Sequence, residues 1–146
     1  VIDNCFGVNI IKGGSFSDSR GTVRFVNDFH FDGIRRFYSI QHPDIEVIRA
    51  WQGHKFETKF FFVSCGAFKI SWVKVDNWQN PSKDLDVNSK VLSDSESNVL
   101  MVSPGHATAI KALSPNSILI VFADKSLEES KADDYRFEVD YWRFED

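Results

Sequence analysis

Arg49, His54, Lys55, Glu57 and Lys59 fall close together in the chain, and between them they could serve two kinds of chemistry. A histidine, with an ordinary pKa near ~6.5, exchanges protons at neutral pH. Arginine and lysine grip anionic oxygens, arginine in bidentate fashion. All five belong to the stretch Ile48 to Phe68, I-R-A-W-Q-G-H-K-F-E-T-K-F-F-F-V-S-C-G-A-F. In an extended segment alternate residues share a face. Gln52, His54 and Phe56 would then project together, and Trp51, Gly53, Lys55 and Glu57 would project the other way, if no bulge intervenes. On this pattern His54 is the candidate general base. The plainer reading is an amphipathic strand with a solvated charged face.

Arg20, Arg36, Arg49 and Lys59 lie on or beside different candidate strands, which is how a barrel gathers charge around one cavity. Four such cations with nearby aromatics suit a diphosphate carrying a base and a sugar. His106 follows Pro104-Gly105 and precedes an apolar run, so it faces the same pocket or caps a turn. His30 and His42 sit in polar loops and read as solvated. β-Barrel metal sites often use H-x-H followed by Glu, and here Gln52 occupies the first histidine position. Glutamine is a poor ligand, so no metal is expected. No Gly-rich phosphate loop, no G-x-G-x-x-G, and no G-x-S-x-G or Cys–His signature is present.

These residues must be positioned by strands. Candidate strands cover 6–12, 22–26, 36–41, 46–52, 57–64, 67–75, 90–92, 98–102, 106–113 and 117–123. Gly, Pro, Asn and Asp punctuate them, with a break at Gly13-Gly14-Ser15 and a turn at Ser17 to Gly21. The charged stretch 126–134 could hold a short helical turn, and the aromatic stretch 135–144 is expected to pack on the body. Short strands at this spacing with no long 3.6-residue period predict an all-β sandwich or barrel, as one domain over 1–146. A chain of 146 residues buries about two thirds of its unfolded surface and needs no staple. Its 14 Phe, 4 Trp and 3 Tyr favour strands and a filled interior. A net charge of −4 without a basic block speaks against nucleic-acid binding. No apolar run reaches the ~20 residues of a membrane span, and Asp3 and Asn4 interrupt any leader pattern. Cys5 and Cys65 read as free thiols, and a cytoplasmic location is expected.

The segments I-K-G-G-S-F-S-D-S-R-G-T-V-R-F-V-N-D-F, R-R-F-Y-S-I, I-R-A-W-Q-G-H-K, S-P-G-H-A-T-A-I-K-A-L-S-P-N-S and L-E-E-S-K-A-D-D-Y-R-F resemble those of cupin-fold sugar-nucleotide enzymes. The nearest group is the WxcM-like proteins, which include dTDP-4-keto-6-deoxyhexose 3,4-ketoisomerases. The dTDP-4-dehydrorhamnose 3,5-epimerases are more distant relatives. The resemblance runs from about Ile10 to Phe144 and implies a single RmlC-like cupin domain, a double-stranded β-helix or jelly-roll barrel.

It further implies an isomerase or epimerase of surface-polysaccharide sugar biosynthesis. Such an enzyme moves a proton next to the ketone of a dTDP-linked keto-sugar, with no metal and no cofactor. His54 would be the base, and Tyr38 or His106 a second acid/base. Arg49 or Lys59 would stabilise the oxyanion, while Arg20 and Arg36 would hold diphosphate. Gln52 stands where the ketoisomerases carry the first histidine of R-G-x-H-A-H-K, and it can hydrogen-bond an oxygen but exchanges no proton at neutral pH. That departure keeps open a sugar-nucleotide-binding cupin without turnover. A metal-dependent cupin enzyme is the remaining alternative. Relatives pair by sheet exchange, so a homodimer is expected.

Overall fold

The computed structural model describes residues 7–144. Phe6, the first residue of the first candidate strand, lies outside them, as does Cys5; Cys65 is an exposed free thiol. Among the described residues twelve strands and one short helix are formed: β1 (Val8–Lys12), β2 (Gly14–Asp18), β3 (Gly21–Phe25), β4 (Arg36–Ile40), β5 (Ile48–His54), β6 (Lys59–Cys65), β7 (Ala67–Lys74), β8 (Asn88–Ser93), β9 (Asn98–Val102), β10 (His106–Ala112), β11 (Ile118–Ala123), α1 (Leu127–Ala132) and β12 (Tyr135–Arg136). Two five-stranded antiparallel sheets face each other, in the orders β1-β9-β6-β11-β4 and β12-β5-β10-β7-β8.

Inward-facing residues of both sheets fill the space between them. Phe61 and Val63 alternate on β6, Phe68 and Ile70 on β7, and Leu119 and Val121 on β11, all buried in one core. Behind the second sheet lies a smaller core, where Trp51, Val73, Ala107 and Ala109 meet Trp142. The 135–144 segment packs on the body as expected. Trp51 and Phe137 exchange backbone hydrogen bonds in both directions, and the Trp51 and Trp142 rings meet edge to face at 5.5 Å. Each such ring removes ~200 Å² from water, a transfer term on the order of 5 kcal/mol. This second core anchors the backbone of β5, the strand that carries the site.

Two local readings are corrected. The stretch around Gly14 to Asp18 does not simply break the chain: it is β2, which pairs with β3 as a separate hairpin, Phe16 opposite Val23. Its serines and glycine hide the alternation. Gly21, at φ +123°, closes the turn, and the Asp18 carboxylate accepts from the Arg20 amide. His42 is buried rather than solvated, with its ring 5.5 Å from Phe68. The helical turn forms with a capping box, Ser126 and Glu129 satisfying each other's backbone N–H groups. Among the described residues no helix is long and apolar enough to cross a membrane.

Candidate active site

A β-bulge decides which residues of β5 face inward. Thr108 of β10 opposes Gln52, but Ile110, two residues on, opposes Arg49. Three steps along β5 therefore match two along β10. Simple alternation would put Arg49 and Gln52 on opposite faces; the extra residue puts both on the inner one. They line a cavity of about 390 Å³ between the two sheets. From the opposite sheet come Arg36 and Tyr38 of β4 and Lys59 of β6; β12 adds Arg136, and Phe61, Ile110 and Val121 form an apolar floor. Among the described residues no Asp or Glu lines this cavity. Three guanidinium groups and one amine thus line an open cleft with an apolar floor, a setting for an anionic ligand.

Lys59 is the buried cation of the set, only 5% exposed. Its Nζ donates to Oε1 of Gln52 at 2.9 Å. Burial pushes its pKa down to about 8; the Glu57 carboxylate opposes the shift, and Arg36 and Arg136 add to it. Tyr38 is held above the usual phenol range, chiefly by burial, so its hydroxyl stays protonated at neutral pH. The Arg36 guanidinium lies over the Tyr38 ring, 4.9 Å from its centroid.

Behind this wall lies a second layer of titratable groups. The His54 ring is 4% exposed, and its Nδ1 is 2.6 Å from the backbone carbonyl oxygen of Asp133. A carbonyl only accepts, so Nδ1 carries the hydrogen and Nε2 of the neutral ring is a bare lone pair. Burial and then the charge of Lys59 push the His54 pKa down to about 4. Nε2 lies 3.4 Å from Oε2 of Glu57, whose carboxyl burial holds above the usual range. A protonated Glu57 can donate to that lone pair. The other Glu57 oxygen is 3.8 Å from Nη2 of Arg36.

The turn between β5 and β6 is fixed by two carboxylates. Asp133, at the C-cap of α1, accepts from the amides of Lys55, Phe56 and Glu57 at 2.8, 2.8 and 3.1 Å. Asp124 accepts from the amide of Thr58 at 2.8 Å. Both follow β11, so the segment after that strand sets where His54 and Lys59 sit.

The structure brings together five of the residues singled out in the sequence: Arg36, Tyr38, Arg49, Gln52 and Lys59. Three others lie elsewhere. His54 is behind the cavity wall, because its ring is tied to Asp133. His106 lines a separate cavity of about 330 Å³ with Trp72 and Asn88, its Nδ1 donating to the Ser103 carbonyl at 2.8 Å. Arg20 sits at the exposed tip of the β2–β3 hairpin in an ion pair with Asp18 at 2.6 Å. Phe56 falls beyond the end of β5 and is exposed, so it shares no face with Gln52. Arg136 and Asp133 were not singled out. Their one sequence signal is the D-D-Y-R run ahead of the aromatic tail. Among the described residues no group of three or more His, Cys, Asp or Glu is placed to hold a metal ion.

Two facing antiparallel sheets around a cation-lined cavity define a cupin of the RmlC-like kind, and solved structures agree. A dTDP-4-dehydrorhamnose 3,5-epimerase from Bacillus anthracis, solved with TDP and pyrophosphate, superposes with a TM-score of 0.77 at 18% identity, over 95% of this chain and 83% of its own. A 3,4-ketoisomerase, QdtA from Thermoanaerobacterium thermosaccharolyticum, in complex with TDP-4-keto-6-deoxyglucose, gives 0.72 at 23% identity, over 94% and 92%. A 3,4-ketoisomerase from Helicobacter canadensis gives 0.69 at 17%, over 92% and 93%. No curated protein matches the chain in sequence. Residues 7–145 match the FdtA family, described as WxcM-like, C-terminal, and the chain belongs to that family.

Proposed function

We propose that this chain is a sugar-nucleotide isomerase or epimerase that moves a proton next to the ketone of a dTDP-linked keto-sugar. The observation that carries this reading is the cavity itself: Arg36, Arg49, Arg136 and Lys59 line an apolar-floored cleft that no Asp or Glu lines among the described residues. The arginines pair with diphosphate. The Lys59 ammonium donates to the ketone oxygen as an enolate forms and stabilises its charge in a low-dielectric setting. The Tyr38 hydroxyl, protonated at neutral pH, returns a proton to the carbanion. His54, buried behind the cavity wall with its unprotonated Nε2 3.4 Å from Oε2 of Glu57, serves as the base. Related solved structures hold TDP or TDP-4-keto-6-deoxyglucose, which fits a ligand of this class.

We further propose a homodimer. β1 is the edge strand of its sheet, and the β2–β3 hairpin exposes Phe16 and Val23. Arg20, at the tip of that hairpin, reaches a diphosphate only if a second copy brings it there.

A second reading, a sugar-nucleotide-binding protein without turnover, is favoured by Gln52, which occupies the cavity wall where a histidine would exchange protons. One experiment separates the two. The protein is incubated with dTDP-4-keto-6-deoxyglucose in deuterated water and followed by NMR. Deuterium entering C3 or C5 supports turnover. Tight binding without exchange supports the second reading.

A further inference from the structure

We propose that Glu57 is a positioning residue that governs His54: ionised, its carboxylate steadies the ring as Nε2 takes the sugar's proton, and protonated, it donates to the same lone pair and blocks it. The proposal rests on the reading of His54 as the base and deepens it. The ring's own bonding is the first ground. Nδ1 is committed to the Asp133 carbonyl at 2.6 Å, so Nε2 is the atom left to accept a proton. Oε2 of Glu57 lies 3.4 Å from that nitrogen, and the Glu57 side chain is wholly buried. The other acids near the ring are engaged. The Asp133 carboxylate, 3.9 Å from Nδ1, accepts from the Lys55, Phe56 and Glu57 amides. Asp134 accepts from Gln52 and Arg136. Among the described residues Glu57 is thus the acid that faces Nε2.

Charge is the second ground. A proton on Nε2 creates a cation in a buried layer, and burial and the charge of Lys59 both disfavour it. An ionised carboxylate within about 4 Å offsets that cost and raises the ring's affinity for the proton by about tenfold or more. The transfer balances by itself: the C–H proton bonds to Nε2, the C–H electron pair enters the enolate, and no oxidant or reductant takes part. Glu57 is set between opposing neighbours. Burial favours its protonated form, as does Asp124; Lys59 on β6, Ser130 on α1 and Arg36 on β4 favour the ionised one. Oε1 is 3.8 Å from Nη2 of Arg36, which also donates to Oγ of Ser130 at 3.1 Å. The balance holds the carboxyl above its ordinary 4.5, while the His54 ring titrates at about 4. On acidification Glu57 therefore takes its proton first, and proton transfer stops before the ring itself is charged.

The test is deuterium exchange from solvent into dTDP-4-keto-6-deoxyglucose, followed by NMR as a function of pH in the whole chain and in Glu57→Gln, Glu57→Asp and His54→Asn. Circular dichroism confines the comparison to pH values at which each protein is folded. In wild type the rate should fall with acid around a midpoint above 4.5. Glu57→Gln cannot ionise, so its plateau rate should be at least about tenfold lower and the acid limb above 4.5 should vanish. Glu57→Asp keeps a carboxylate and should keep an acid limb. Calorimetry should find dTDP bound no more weakly by Glu57→Gln, because loss of a negative charge near Arg36 does not disfavour an anion. A uniform fall in rate with the limb in place would overturn the proposal and leave Glu57 a structural group. A wild-type limb centred at about 4 follows the ring instead and overturns it too. An unchanged Glu57→Gln beside an inactive His54→Asn would remove Glu57 and keep the base. Exchange at the wild-type rate in His54→Asn, or none in a wild type that binds dTDP, would remove the base and the role of Glu57 with it.

Discussion

Lys59 donates from Nζ to Oε1 of Gln52 over 2.9 Å, and the bond joins β6 of one sheet to β5 of the other across the cavity wall. The same carboxamide donates from Nε2 to Asp134 at 3.3 Å. Gln52 is therefore held at both ends and orients the lysine, but it moves no proton.

Gln52→His should keep both contacts. A neutral imidazole accepts from Lys59 on one nitrogen and donates to Asp134 from the other. It also adds a titrating group facing the sugar, worth ~10²-fold or more in proton transfer. The expected outcome is new or higher 3,4-ketoisomerase activity on dTDP-4-keto-6-deoxyglucose, read by NMR, with a circular-dichroism melt close to wild type. An intact fold with no ketoisomerised product would count against Gln52 as the position that limits this chemistry.

Lys59→Met should stabilise the fold while it weakens the site. The folded-state pKa of Lys59, about 8, lies below its ordinary 10.5. The unfolded chain thus holds more protons between those values, and stability rises with pH across that window. Below pH 8 the buried charge exerts its full cost, up to roughly 3 kcal/mol for a shift of this size. Methionine removes that cost and fills similar volume. Thermal melts at pH 7 should favour Lys59→Met, and the difference should shrink toward pH 10.5. A less stable variant at pH 7 would show that the hydrogen bond to Gln52 and the attraction of Glu57 outweigh desolvation.

The architecture was legible because turn residues and two-residue alternation are local signals, and ten of the strands could be placed from them. The hairpin strand β2 was not, since Gly14, Ser15 and Ser17 carry little strand signal until Phe16 is seen opposite Val23. Arg36, Tyr38, Gln52 and Lys59 could be found because they alternate with apolar neighbours on strands that face inward. Arg49 joins Gln52 only through the bulge, and a bulge arises from pairing with β10, which one strand's pattern does not encode. Arg136 and Asp133 reach the site from 76 and more residues along the chain, through pairing and capping that spacing alone does not reveal.

Arg49→Ala and Arg20→Ala should behave differently. Arg49 lines the cavity, so its loss should weaken dTDP binding by about 1.5–3 kcal/mol, the scale of a charge-assisted hydrogen bond, at any protein concentration. Arg20 lies on an exposed hairpin and, among the described residues, pairs with Asp18. Its loss should matter in the dimer and not in dilute monomer. Calorimetry across a protein dilution series, with sedimentation to report the dimer, checks both. Equal effects of the two variants on a monomer would place Arg20 in the cavity after all.

His54 should reveal itself in the acid limb of stability. Its folded-state pKa, about 4, lies below its ordinary 6.5, so the unfolded chain binds the proton more readily in that interval. Stability from the buried neutral ring is therefore complete above pH 6.5 and falls on acidification through pH 4, by roughly 2–3 kcal/mol. Glu57 opposes this: its raised pKa gives stability that is full below its unfolded value and is lost as pH rises through the folded one. His54→Asn removes the first contribution and keeps the second, so the melting temperature should fall less between pH 7 and pH 4 than in wild type. If His54 is the base, solvent exchange into the keto-sugar should also drop by ~10²–10⁴-fold while dTDP binding survives. Asp133→Ala supplies the contrast, since it strips the acceptor from three amides and should cost about 3 kcal/mol at pH 7. A His54→Asn protein that exchanges at the wild-type rate, with its acid limb flattened as expected, would keep the histidine as a structural group and leave proton transfer to Lys59 and Tyr38.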